Sequence, residues 1–344
     1  MVAKTKQDRQ PLLERFNAWT QTMPLAEFVA RYGVVLVLIL LVALMTFLSP
    51  IIRGQQLFLT DRNLLQVALQ ASINAIIAVG MTFVITSGGI DLSVGSIVAL
   101  SGVAAAMAMR DTDIGPLGGF GVAVLVGTLC GLFNGFLITR IKLPPFIATL
   151  GTMGIFRGVA LVISEGRSIY GFGREFLQTF SGTVANTAIP VSVAFAAVLA
   201  VIFWWVFNYT KFGKYTIAIG GSEETTRLAG IPVERYKMGI YALSGMLTGI
   251  AAALLLARLS SGDPTFGTMF ELDAIAAAVM GGTSLTGGEG TVVGTIVGAL
   301  IISLVRNAIN IFNIPSYWQQ VIIGSVIVLA VMLDQWRKKQ SRQQ

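Results

Sequence analysis

"AIIAVGMTFVITSGGIDLSVGSIVAL", running from Ala75 to Leu100, is an apolar run, a pair of glycines, a single acid and a second apolar run. Neither run alternates with period two, and both are rich in Ala, Gly, Ser and Thr, so they read as helices that pack closely against others. Gly88 and Gly89 mark a break between them, because glycine takes turns and left-handed backbone that other residues resist. The pattern then recurs. Ala274 to Ala299, "AIAAAVMGGTSLTGGEGTVVGTIVGA", overlays it at an offset of 274 − 75 = 199. Ala75/Ala274, Met81/Met280, Gly88/Gly287, Gly89/Gly288, Gly95/Gly294 and Val98/Val297 coincide. Two halves of one chain therefore carry matched glycine-interrupted apolar segments, a pattern that points to a pathway across a membrane.

Composition agrees. The 344 residues are 54% hydrophobic and 12% charged, about half the charge of a soluble domain. Apolar segments fall at about 32–50, 64–86, 93–109, 119–139, 145–163, 189–208, 238–257, 271–287, 290–306 and 316–333, each near the length a bilayer requires. The fold class expected is an all-α integral membrane bundle of about ten transmembrane helices, with glycine-interrupted segments. If either repeat segment re-enters instead of crossing, that count changes.

The net charge of +7 matters less than its placement. Lys4, Lys6, Arg9 and Arg15 precede the first segment, and Arg337, Lys338, Lys339 and Arg342 follow the last. Lys211, Lys214, Arg227, Arg235 and Lys237 fill one central loop. Basic loops stay cytoplasmic, so both termini, Arg140 to Lys142 and the central loop are expected inside. The Asp111–Asp113 loop, 164–188 and 260–270 are expected outside. The pattern orients a membrane protein and is not a nucleic-acid footprint. Three parts follow: an N-terminal cytoplasmic or interfacial segment (1–31), a transmembrane domain (32–335) and a basic cytoplasmic tail (336–344). Within 12–31, Leu, Phe and Trp mixed with charge suit an interfacial helix, and a disordered lead-in fits equally. The first apolar run is too long for a signal-peptide core and reads as an uncleaved anchor.

Catalytic chemistry finds little to work with. Histidine is absent, the single cysteine, Cys130, lies in an apolar stretch, and neither a nucleophile–base pair, a metal-ligand spacing nor a phosphate-binding loop occurs. Gly131 and Gly135, four apart in "CGLFNGF", suit helix packing within the chain or a dimer contact. Acids at membrane depth are candidates for function: Asp91, Glu289, Glu271 and Asp273. Asp91 also stands where it would cap the helix that follows. Asn74, Thr82, Thr86, Asn134, Thr149, Thr283, Ser284 and Asn307 offer uncharged donors and acceptors suited to a neutral, hydroxylated solute. With Asp91 and Asp273 they are the candidate lining of a translocation path.

One polar interruption is unusually well specified. In "GGSEETTRLAGIPVERYK", Gly220 to Lys237, Ser222 is an N-cap, Glu223 and Glu224 favour the first turn, Gly230 is a stop and Pro232 forbids continuation. About two turns of helix are predicted over 223–229. So short a helix is unstable alone and must pack on its own chain or on a partner.

"ETTRLAG", Glu224 to Gly230, resembles the E-A-A-x-x-x-G coupling loop of ABC importer permeases, with Thr225 and Thr226 in place of the two alanines. Across about 32–335 the chain resembles the ribose/xylose/galactose-type sugar permeases. That resemblance rests on "NAIIAVGMTFVITSGGIDLSVGSIVALSG", "PPFIATLGTMGIFRGVA", "KFGKYTIAIGGSEETTRLAGI" and "FELDAIAAAVMGGTSLTGGEGTVVGTIVGALI". It implies a multi-pass subunit of the bacterial inner membrane, with no cofactor of its own and no enzymatic step. A cytoplasmic ABC ATPase subunit would carry ATP and Mg, a periplasmic sugar-binding protein would deliver the solute, and a second permease chain, identical or different, would complete the pore. The coupling loop would be 209–237, with Ser222, Glu223, Glu224, Thr225, Arg227 and Gly230 at the ATPase contact. The same machinery serves a signalling sugar or a cyclitol, and an ion-gradient transporter is the competing class.

Overall fold

The computed structural model describes residues 25–185, 187–315, 317–325, 328 and 332. The expected cytoplasmic tail and most of the expected N-terminal segment lie outside them. Twelve helices are delimited: α1 (Leu25–Arg53), α2 (Asp61–Thr86), α3 (Val94–Asp111), α4 (Gly115–Thr139), α5 (Pro145–Ile163), α6 (Arg174–Ser181), α7 (Val191–Tyr209), α8 (Lys211–Gly221), α9 (Glu223–Leu228), α10 (Val233–Leu259), α11 (Phe270–Met280) and α12 (Val292–Ile311). Residues 317–325 are helical as well. The described residues hold no strand, only isolated bridges at Ile169–Gly262 and Thr183–Pro190.

Eight of these helices are long and apolar enough to cross a membrane. The segment expected at 271–287 is not among them. Its helix, α11, has 11 residues, a rise of about 16 Å or half the hydrocarbon thickness. Gly281 and Gly282 stop it: Gly282 takes φ +95°, and Thr283 N–H closes back on Ala278 O at 2.9 Å. The segment expected at 316–333 is described only in part. α2 ends by the same left-handed glycine device. Gly88 has φ +80°, and Gly89 N–H donates to Val84 O at 3.0 Å. Both repeat copies are thus broken helices, with breaks at 87–93 and 281–291.

Two helices form the centre. In α2 and α10, 83% of the apolar window is buried, against 11% in α1, 28% in α5 and 17% in α7. Small residues allow the close approach. Methyl groups added at Gly127, Gly131 or Gly135 of α4 would meet the α10 backbone at Gly249, Tyr241 and Met238. The Gly131/Gly135 motif therefore serves packing within the chain. Gly80 of α2 lies as tightly on Ser244 of α10. Around Phe83, the rings of Phe207 and Phe212 at 5.2 and 5.8 Å tie α2 to α7 and α8.

Residues 260–269, the loop expected outside, run back along α3. Gly262 packs against Gly102 and Ala106, and Gly267 packs against Gly95, about 10 Å along the helix at 1.5 Å per residue. Arg157 of α5 pins the returning segment, donating to Pro264 O at 2.6 Å and Phe266 O at 2.7 Å.

Candidate functional site

α9 forms as its local sequence dictates. Ser222 Oγ accepts from Thr225 N–H at 3.2 Å, Glu223 and Glu224 occupy the first turn, and Gly230 takes φ +81°. Ile231 N–H then closes the helix on Thr226 O at 3.3 Å. The helix packs on its own chain through Thr226, which is buried. It is also held by charge. Arg227 donates to Glu223 and to Glu234 of α10, each at 3.0 Å. Lys237 pairs with Glu223, and Lys142, in the turn between α4 and α5, lies 3.3 Å from Glu234.

This divides the residues expected at the ATPase contact. Glu223 and Arg227 fasten α9 to the bundle, and Ser222 shapes its start. Glu224, Thr225 and Gly230 are exposed, and so is Leu228, at 83%. Leu228 was missed in the sequence. Its signal was an apolar residue one helical turn after Glu224 in an otherwise polar helix.

The polar residues proposed to line a path do not converge on one site. Asp91, Asn134 and Thr149 belong to one buried network at the first break. Asp91 Oδ1 accepts from Ser93 N–H at 3.0 Å and Ser93 Oγ at 2.6 Å. Its Oδ2 accepts from Ser244 Oγ at 3.2 Å. Asn134 donates to Ser93 Oγ at 2.8 Å and accepts from Thr152 Oγ at 2.6 Å, while Thr149 Oγ lies 3.1 Å from Ile90 O. Asp91 caps nothing beyond Ser93. It orders the turn that launches α3, linked there to α4, α5 and α10.

Elsewhere, Thr82 of α2 meets Thr295 of α12 at 2.7 Å. Asn307 and Asn63 exchange amide hydrogen bonds at 2.6 and 3.1 Å. Asp273 pairs with Arg306 at 2.5 Å. Asn74 Nδ2, Thr86 Oγ and Thr283 Oγ are buried without a partner. Thr86 and Thr283 both border Gly290, in the second break. Ser284 lies in that break too and is buried. Arg157, which holds residues 264–266, escaped notice because its partners are backbone carbonyls, which no sequence pattern displays. Among the described residues no His/Cys/Asp/Glu cluster suits a metal ion.

Comparison with known proteins places this architecture. The family model for the branched-chain amino acid transport system / permease component matches residues 63–331. The ribose import permease protein of Bacillus subtilis (strain 168) is 43% identical over 313 residues, covering 90% of this chain and 93% of that protein. The D-allose transport system permease protein of Escherichia coli (strain K12) is 39% identical, with 90% and 93% covered. The L-arabinose ABC transporter permease protein of Azospirillum brasilense is 38% identical, with 92% and 91% covered. No solved structure matches the chain. With more than half of its length matched by the family model and near-full-length relatives around 40% identical, the chain belongs to the family of branched-chain amino acid transport system permease components.

Proposed function

We propose that this chain is the membrane-spanning subunit of an ATP-driven importer for a monosaccharide, with ribose or a related pentose or hexose as its solute. The carrying observation is α9, a six-residue helix that is fastened to its own bundle by Glu223, Arg227, Glu234 and Lys237. It presents Glu224, Thr225 and Leu228 outward. A helix held in a fixed orientation by these pairs, with an exposed apolar tip, suits a partner that pushes on it. The similarity to permeases named for ribose, allose and arabinose supports the solute class.

In this reading the chain is a multi-pass protein of the bacterial inner membrane with both termini in the cytoplasm. α9 docks on a cytoplasmic ABC ATPase subunit that binds ATP and Mg, a binding protein delivers sugar from the periplasmic side, and a second permease chain completes the path. Closure of the ATPase favours one arrangement of the bundle, which shifts the equilibrium between inward and outward states. The hydroxyl- and amide-rich breaks around Asp91, Thr86 and Thr283 are the proposed polar stretch of the path. Reconstitution of the chain with an ATPase and a binding protein in liposomes tests this. Uptake of labelled ribose, allose or arabinose should stop when ATP is withdrawn and persist with an uncoupler. Uphill uptake by the chain alone, driven by an ion gradient, would refute it.

A further inference from the structure

The two breaks touch each other, and the helix that leads into α9 ends between them. Gly88 and Gly287, equivalent in the repeat, both take φ +80°. A Cβ added to Gly287 would stand 3.1 Å from Gly88 Cα and 2.8 Å from Gly220 O. Gly220 lies in the last turn of α8. A Cβ there would overlap the Thr86 carbonyl and stand 2.5 Å from Gly288 N. Gly288 N–H meanwhile donates to Thr86 O at 2.9 Å, so the breaks are hydrogen-bonded to each other beside Gly220. After Gly220 the chain passes through Gly221 to Ser222, the cap of α9.

We propose that Gly220 is the positioning residue through which a displacement of α9 reaches both breaks together, a step that rests on the docking of α9 proposed above. The contact is backbone against backbone. No side chain lies between to absorb a shift by changing rotamer, so α8 cannot move at this point without moving Thr86 or Gly287–Gly288. α8 is braced at its other end, where Thr210 caps it and Phe212 packs against Phe83 and Tyr236. α8 therefore spans from that brace to the glycine end, where its backbone meets both breaks. The breaks also carry a reason to rearrange. Thr86 and Thr283 keep buried hydroxyls without partners beside Gly290, so this arrangement of the breaks carries an unmet cost.

Two neighbouring glycines supply the test. A methyl at Gly221 meets nothing within 4 Å, so Gly221→Ala is the control for Gly220→Ala. The complex of permease, ATPase and binding protein is reconstituted in liposomes with D-ribose as solute. Amide hydrogen exchange is followed over 86–93, 222–230 and 281–291, with and without a non-hydrolysable ATP analogue, alongside uptake and ATP hydrolysis. In the native chain and in G221A the nucleotide should change exchange at both breaks at least threefold. G220A should still assemble and hydrolyse ATP, yet lose that response and at least tenfold of uptake, an uncoupling that a mere packing role would not produce. The proposal is overturned if G220A transports like the native chain, or if native 222–230 responds to nucleotide while the breaks do not. Should G220A fail to insert, the native exchange pattern decides alone. If 222–230 gains no protection when the ATPase binds, the docking of α9 fails first and takes the proposal with it, an outcome distinct from silent breaks.

Discussion

The guanidinium of Arg227 in α9 lies 3.0 Å from the carboxylate of Glu234 in α10, so the short helix is latched to the first turn of one of the two most deeply packed spans. Arg227 is about half exposed, at 52%, and pairs of this kind contribute roughly 1 kcal/mol or less and weaken with salt. The latch orients α9 more than it stabilises the fold. R227Q and E234Q should leave the melting temperature of the purified chain nearly unchanged while reducing ATP-driven uptake several-fold. The double variant should lose less than the sum of the two, because both remove the Arg227–Glu234 contact, while each also breaks a second pair, Arg227–Glu223 or Lys142–Glu234. Additive losses would show that the two residues act separately.

Leu228 gives a sharper test of what α9 meets. At 83% exposure it contributes little to folding. Buried in a partner's pocket, a side chain of this size contributes about 1.5–3 kcal/mol. L228A should therefore weaken association with the ATPase by about tenfold or more, and L228E should abolish it. Neither should shift thermal unfolding of the isolated chain. Pull-down against the solubilised permease reads this directly, and equal capture of native and L228E chains would remove α9 as the docking element.

Glycines that look alike in the sequence divide into two classes in the structure. A methyl at Gly131 would overlap the Tyr241 carbonyl in α10, whereas one at Gly154 of α5 meets nothing within 4 Å. Overpacking of a tight helix contact costs about 1–3 kcal/mol. Alanine in place of an unobstructed helical glycine gains up to about 1 kcal/mol. G131A should melt well below the native chain in detergent, and G154A at or slightly above it.

These contrasts mark how far the sequence alone reaches. α9 was legible because Ser222, Glu223, Gly230 and Pro232 act within a few residues of one another. Long spans were legible because a bilayer imposes length and apolarity on each of them independently. α11 was not, since its short apolar run leads into "GGTSL", whose small residues also occur inside the long spans, and the left-handed backbone at Gly282 that ends the helix shows only in the structure. The matched glycine pairs announced two breaks, yet nothing local says that Gly88 and Gly287 touch, or that Gly220 stands beside both. The path candidates show the same limit. A threonine that bonds across helices, as Thr82 does to Thr295, cannot be told from one that faces a solute until its partner is seen. Arg157 could be read only as a lone cation in an apolar run, and its role depends on carbonyls more than a hundred residues away.

Asp263 predicts a pH dependence. It joins the segment after α5 to residues 260–269 by accepting from Ser168 Oγ and from Thr265 N–H and Oγ. Burial pushes its carboxyl up, but those donors and the nearby Arg157 outweigh burial and hold it below the ordinary value of 3.8. A carboxyl depressed in the folded state stabilises the fold above its unfolded pKa, and that contribution is lost as pH falls through the lower folded value. Between pH 7 and pH 5 the tie should be fully present, so D263N should melt lower than the native chain by the same margin throughout that range. Below the ordinary aspartate range the native carboxyl takes up its proton and loses its advantage over the amide, and the two melting curves should converge. A margin that instead grows on acidification, or that disappears already between pH 7 and pH 5, would show that Asp263 is not the ionised acceptor holding these two segments together.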